Sequence, residues 1–325
     1  MLAPPPPPAA VSVVICTHNP RAASLKRVLT ALRQQSLPLD RWELLVVDNA
    51  SHEPVAPRWD LSWHPRARHL HEDKLGVALA RQCGMRAAAA DLLVFVDDDN
   101  VLDPDYLCEA LKIGREWPEL GAWGASITPE FAVEPPPHLR GHLNYLALRE
   151  IREPRWSNVM TCDEAEPWGA GLCVRSGVAD AYCRQYLSSA IQMTCRAGDD
   201  MLSGGDTEIA YVACDLGLGM GVFPNLRVTH LIPAERLNET YLLRLIEGIT
   251  ASVHLLAFKW RGTDPKSPLR GIELLRTLVN IALRSGFERR SYIAQIRGRL
   301  RARSIILASA KMRPEAQRTI SELGS

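Results

Sequence analysis

No apolar run in the 325 residues approaches the roughly 18 that a membrane span needs. The amino terminus has no basic region, and prolines at positions 4–8 block an apolar helix, so no secretory signal is read. Charge of one sign is also scarce: 38 Lys and Arg stand against 37 Asp and Glu, which argues against a general nucleic-acid binder. None of the eight cysteines forms a Cys-x-x-Cys pair, so a zinc ribbon is not expected. Several sit inside apolar runs, as small buried hydrophobes do, and the expectation is a reduced, cytoplasmic protein. No Gly-x-Gly-x-x-Gly and no Walker lysine loop follows the first strand pattern, which disfavours a dehydrogenase or a P-loop enzyme.

What is present is an ordinary globular composition, 46% hydrophobic and 23% charged, able to bury a large core. The balanced charge hides a split. Residues 259–325 hold 15 basic and 5 acidic residues, and residues 1–258 hold 23 and 32, so a basic appendage follows an acidic body. The domain reading is a Pro-rich flexible tail over 1–10, a catalytic domain over 11–234 and a basic helical extension over 235–325. Buried strands are expected at 11–16, 44–47 and 92–96, and a short strand at 226–229. Helices are expected at 22–35, 75–90, 236–260, about 269–284 and 288–311. Strands alternating with helices predict an α/β fold with a mostly parallel central sheet flanked by helices and a C-terminal helical extension. The glycines and prolines from 121 to 171 read as loops and turns.

The strand ends carry the polar residues. The first ends in Thr17, His18 and Asn19, the second in Asp48, Asn49, Ala50 and Ser51, the third in Asp97, Asp98, Asp99 and Asn100. In an open α/β sheet ligands bind beyond the carboxyl ends of the strands. Turn preference explains Asn49 well. Three adjacent carboxylates repel one another unless a cation joins them, which points to Mg²⁺ or Mn²⁺.

Five segments then occur in order: VSVVICTHN (11–19), VVDNAS (46–51), GVALARQCG (76–84), FVDDDNVLDPDYL (95–107) and GAGLCVR (169–175). Together they resemble the motifs of family 2 glycosyltransferases with the glycosyltransferase-A fold, over roughly residues 11–235. The resemblance implies an inverting, non-processive transfer of a sugar from a nucleotide-sugar, usually a UDP-sugar, to an acceptor hydroxyl, with a divalent metal. It implies that Thr17, Asn19, Asp48 and Asn49 hold the nucleoside, and that Asp97 and Asp99 serve the metal while Asp98 serves the ribose or sugar. Arg81 matches a position near the nucleotide, or is a helix-surface arginine. Gly169, Ala170 and Gly171 match the loop beneath donor sugar and acceptor. Trp168 before them stacks on a sugar or fills the core. SGGDTEI (203–209) resembles the Glu-Asp motif that supplies the catalytic base, with Gly205 where Glu is usual, Asp206 as the base and Glu208 assisting. His230 matches a metal-ligating position, or is structural.

The implied partners are a nucleotide-sugar and a saccharide or lipid-linked saccharide acceptor in polysaccharide or glycoconjugate synthesis. In the last helix Ile293, Ile296, Leu300 and Leu307 form an apolar face and Arg290, Arg297 and Arg301 a basic one. Its basic face is either solvated or docked peripherally on the inner face of an anionic membrane. Two readings from other classes remain open at this point. One is a haloacid-dehalogenase-like phosphatase with Asp97 as nucleophile, Asp99 as acid/base and Asp199 and Asp200 in its second acidic motif. The other is an inactive nucleotide-sugar-binding protein.

Overall fold

A computed structural model describes residues 8–161, 163–189, 191–193, 195–196 and 200–322, the last thirteen of these as backbone only. The expected tail at 1–7, Cys162 and Asp199 lie outside the described residues. The chain divides into two compact units. The first comprises residues 1–135, 146–186 and 205–234, and the second 136–145, 187–204 and 235–325.

The first unit is built on one nine-stranded sheet. In chain order its elements are β1 (Val11–Thr17), α1 (Ala22–Arg33), β2 (Trp42–Asn49), β3 (Ala67–Glu72), α2 (Val77–Ala87), β4 (Leu92–Asp97), β5 (Asn100–Leu102), α3 (Tyr106–Glu116), β6 (Leu120–Phe131), β7 (Arg155–Ser157), β8 (Cys173–Arg175), α4 (Ser176–Ser188), α5 (Gly205–Asp215) and β9 (Gly219–Ile232). The strand order is β3-β2-β1-β4-β8-β6-β9-β5, with β7 pairing on β9. The β-branched runs of β1, β2 and β4 are buried almost throughout, as parallel strands covered on both sides are. The parallel character holds across β3-β2-β1-β4. Beyond β4 the ladder is mixed: β8 runs antiparallel to β4 and β6, and β5 and β7 antiparallel to β9, while β6 and β9 are parallel. Leu25, Val28, Leu29 and Leu32 of α1 are buried, as their helical spacing predicts.

Glycine misleads the sequence reading past residue 120. Gly121 and Gly124 lie inside the twelve-residue strand β6, where loops were expected. A Cβ on Gly121 would come within 2.6 Å of Ala213 Cβ, and one on Gly124 within 2.9 Å of Pro167 Cβ. These glycines permit close packing on the sheet rather than turns.

The second unit contains α6 (Glu239–Arg261), α7 (Gly271–Leu283) and α8 (Gly286–Glu322). Asn238 caps α6 by accepting the Tyr241 N–H at 2.9 Å, and Gly262 ends it in the left-handed region. Helix α6 is long and apolar enough by composition to cross a membrane, with mean hydropathy 1.3 over its best window, contrary to the sequence expectation; half of that window is buried inside the protein. The α8 face expected to be apolar also differs. Its buried stripe is Ser291, Ala294, Gly298, Ala302 and Ile306, while Ile293, Ile296 and Leu300 are only half-buried and Leu307 is exposed. Gly298 sits directly on the α6 backbone, where a Cβ would overlap Glu247 O.

Candidate active site

Register places the polar strand ends side by side. Thr17 pairs with Asp48, Asp48 with His71, and Cys16 with Asp97, so the carboxyl ends of β1, β2, β3 and β4 form one edge. Thr17 donates its hydroxyl hydrogen to Asp98 Oδ2, which joins the first strand end to the acidic triplet.

Asp48 is buried. Its Oδ1 accepts the Ser51 N–H at 3.1 Å and its Oδ2 the Val55 N–H at 3.0 Å. Burial pushes its pKa up, but the hydrogen bonds from Ser51 and Val55 and the nearby His71 outweigh this, and the net direction is down. Asp48 therefore stays ionised and anchors the loop after β2. His71 Nδ1 stands 3.9 Å from Asp48 Oδ2. Asn19, at φ 50°, clasps the same loop: its N–H reaches Ser51 Oγ at 2.9 Å and its Oδ1 accepts the His52 N–H at 2.9 Å.

Asn49, expected at the nucleoside, is bonded to the chain instead. Its Nδ2 donates to Glu72 O at 3.2 Å and Lys74 O at 2.8 Å, and its Oδ1 accepts the Gly76 N–H at 2.8 Å. Both amide hydrogens are spent on the chain, so Asn49 staples the loop to the start of α2 and leaves no donor for a ligand.

The three carboxylates of the triplet face different partners. Asp97 Oδ1 lies 3.8 Å from Arg81 Nη2, Asp98 is held by Thr17, and Asp99 is buried with its Oδ1 3.6 Å from His230 Nε2 and 3.1 Å from Asn100 Nδ2. The pairing of Asn100 with His230 across β5 and β9 fixes that contact. Among the described residues no group of three or more His, Cys, Asp or Glu side chains is gathered as a metal site. The Asp99–His230 pair nevertheless fits part of a site: Asp99 offers the carboxylate that Mg²⁺ or Mn²⁺ takes, His230 adds an imidazole, and substrate phosphates would supply the rest.

Arg81 is not on a helix surface. Only 7% exposed, it lies with its guanidinium carbon 5.7 Å from the Phe95 ring centre. Gly169 packs against it: a Cβ there would overlap Arg81 Nη2 and lie 3.2 Å from Asp206 Oδ2. The Gly169 N–H in turn donates to Asp206 Oδ2 at 2.7 Å. Asp206 is in the first turn of α5, where the helix dipole favours a carboxylate. Gly171, at φ +76°, accepts the Tyr106 hydroxyl at 2.5 Å, and a Cβ there would strike that hydroxyl. Ala170, between them, is buried in the core.

Trp168 takes the core alternative, and Glu208 departs from its expected role. Trp168 carries the Arg149 guanidinium 4.3 Å over its ring centre and packs on the core, so that ring face is not offered to a sugar. Glu208 is 2% exposed, too buried to meet an acceptor directly. The phosphatase reading, in which the acidic strand opens the fold, also loses its basis, because β1 and β2 with their own polar ends precede β4.

The structure adds Glu166 and Arg149. Glu166 Oε1 accepts the Thr207 hydroxyl at 2.7 Å, and Arg149 Nη2 donates to Glu166 O at 2.7 Å. Burial, with Asp206 and Asp163 nearby, pushes the Glu166 carboxyl up to about 7 against the pull of Thr207 and Arg149. Burial lowers Arg149 to about 10. A cavity of about 630 Å³ opens beside Trp168, lined by Arg149, Arg152, Arg155, Asp163 and Glu164 among others. Nothing periodic in the sequence marks Glu166, which stands among several acids before the Gly169 loop.

The family model described as Glycosyl transferase family 2 matches residues 12–159. Over those residues the chain is similar to family 2 glycosyltransferases. The matched residues carry β1 to β7, with the strand ends and the acidic triplet. The chain is 37% identical over 107 residues to validoxylamine A glucosyltransferase of Streptomyces hygroscopicus, covering 31% of this chain and 24% of that protein. It is 27% identical over 113 residues to the putative glycosyltransferase EpsH of Bacillus subtilis, covering 34% and 32%. The match thus spans about a quarter to a third of the length of these relatives. A solved structure of S. aureus TarS residues 1–349 with UDP-GlcNAc superposes with a TM-score of 0.49 at 13% identity, covering 76% of this chain and 66% of that one. Over residues 12–159 the observed sheet, parallel across β3-β2-β1-β4 and flanked by helices, is the α/β architecture that the motifs imply.

Proposed function

We propose that the chain transfers a sugar from a nucleotide-sugar, a UDP-sugar first among candidates, to an acceptor hydroxyl with inversion at the anomeric carbon. The observation that carries this reading is the chain of contacts from Asp97 through Arg81 to Gly169 and Asp206. It joins the donor-side strand ends to the loop from which an acceptor would approach.

In this reading Thr17, Asn19 and Asp48 form the nucleoside edge, and Arg81 and Asp98 face the diphosphate and sugar. Asp99 and His230 are the residues that would hold a divalent cation, Mn²⁺ or Mg²⁺, while Asp97, expected to share it, pairs with Arg81 instead. When bound with the donor, such a cation supplies positive charge that makes the nucleoside diphosphate a better leaving group. Asp206 takes the hydroxyl proton as the acceptor oxygen bonds to the anomeric carbon and the bond to the diphosphate breaks. The Gly169 N–H holds Oδ2 of Asp206 and the Thr207 N–H reaches Oδ1 at 3.0 Å, which together orient the carboxylate and leave lone pairs for the acceptor proton. The cavity beside Trp168 is our candidate for the acceptor, a saccharide or lipid-linked saccharide on the cytoplasmic side.

The test is a panel of nucleotide-sugars incubated with the full chain, with Mn²⁺ or with chelator, and assayed for nucleoside diphosphate release. Metal-dependent release from one donor class supports the reading. Tight donor binding without any turnover, on a broad acceptor panel, would favour an inactive binder instead.

A further inference from the structure

We propose that α7 lays an apolar face on an anionic membrane surface. The amphipathicity of this helix is inverted relative to a core helix. Thr277 is its buried residue, 4% exposed, and its hydroxyl donates to Pro268 O at 2.9 Å. The polar stripe that faces inward also includes Glu273, which pairs with Arg276 at 2.8 Å and Arg299 at 3.6 Å. At its far end Arg284 stacks 4.4 Å over Tyr292. The opposite arc, wider than half the helix, is apolar and faces outward. Ile272 is 65% exposed, Leu275 63%, Leu278 55% and Leu283 79%, with Leu274 and Val279 also open. Leu269 just before the helix extends the patch. Isolated exposed leucines need no explanation, but a contiguous set on one helix face does.

Charge selects the occupant. Lys266, Arg270 and Arg289 are exposed around this helix, and its one acid, Glu273, is already paired with Arg276. Residues 259–325 carry 15 basic against 5 acidic residues. An apolar face rimmed by Lys and Arg is the composition of a helix lying in the headgroup plane of an anionic bilayer. The surface is not the α8 basic face suggested by sequence, because two of its arginines are engaged: Arg290 with Glu239 at 2.7 Å and Arg301 with Asp200 at 2.8 Å. The inference concerns the second unit alone and stands apart from the transferase reading.

The experiment is co-sedimentation of the full chain with vesicles of phosphatidylcholine plus phosphatidylglycerol, and with phosphatidylcholine alone. The wild-type chain should partition at least about tenfold more strongly onto the anionic vesicles, and raising salt from about 0.1 to about 0.5 M should weaken it. Leu275→Glu/Leu278→Glu should cut binding about tenfold or more, with unchanged melting because both positions are exposed. Leu278→Trp should show a blue-shifted emission that brominated lipid quenches. Equal binding by the double variant, or no binding to either vesicle, overturns the proposal. A dimer in ultracentrifugation that the double variant dissolves, without vesicle binding, would assign the face to a second copy instead.

Discussion

Gly169→Ala isolates the contact that links the two sides of the site. The added Cβ falls on Arg81 Nη2, short of an ordinary 3.5–4.0 Å contact by roughly an ångström, and also lies 3.2 Å from Asp206 Oδ2. Arg81 is the movable partner in principle, but it is buried and held near Asp97 and Phe95. Overpacking of this kind costs about 1–3 kcal/mol. The backbone at Gly169 is not in the left-handed region, so alanine adds no conformational strain of its own. Urea denaturation of a double-mutant cycle with Arg81→Lys reads the coupling, because lysine keeps the charge and removes the fork that clashes. Gly169→Ala should cost about 1–3 kcal/mol in the wild-type background and under about 0.5 kcal/mol beside lysine, a coupling typical of touching residues. Equal losses in both backgrounds would refute the packing argument.

Two further outcomes follow from the same geometry. Glu166 is held at a raised pKa by burial, so its ionisation opposes folding: no penalty exists below the unfolded value near 4.5, and it grows until the pH passes about 7. Glu166→Gln should therefore gain on the order of 2–3 kcal/mol relative to wild type between pH 4 and pH 8 in urea titrations, and a pH-independent difference would contradict it. Asp99→Ala should lower calorimetric affinity for UDP–Mn²⁺ by about tenfold or more while leaving metal-free UDP binding near wild type, since His230 alone is a poor site; unchanged affinity would remove Asp99 from the metal.

The parallel half of the sheet was legible because β1, β2 and β4 are near-continuous β-branched and leucine runs. Their polar ends pointed to the site before any register was known. Strand β3 was not read, since Ala67–Glu72 mixes polar and half-exposed residues at the sheet edge. Strands β5, β7 and β8 have three residues each, too few for periodicity. Strand β6 was hidden by glycines that serve packing. Within the site, the motifs point to Asp97, Arg81, Gly169 and Asp206, which successive contacts link, and to Asp98 and Asp99, which turn to Thr17 and His230. Asn49 is expected at the nucleoside by position, yet local hydrogen bonding occupies it, while Trp168 takes the core place that was one of its two readings. Glu166 and Arg149 were missed because burial, which distinguishes them from neighbouring surface charges, is a property of the fold.

The most direct measurement is sugar transfer by Asp206→Asn, with nucleotide-sugar affinity determined in parallel. Asparagine keeps an oxygen that can accept the Gly169 N–H and loses the basicity. A change in melting would show up any lost helix-start hydrogen bond, expected to cost about 1 kcal/mol. The account predicts donor affinity close to wild type and transfer slower by about 10²–10⁴, a barrier increase of roughly 3–5 kcal/mol. Near-normal turnover with an otherwise competent acceptor would contradict the assignment of Asp206 as the base.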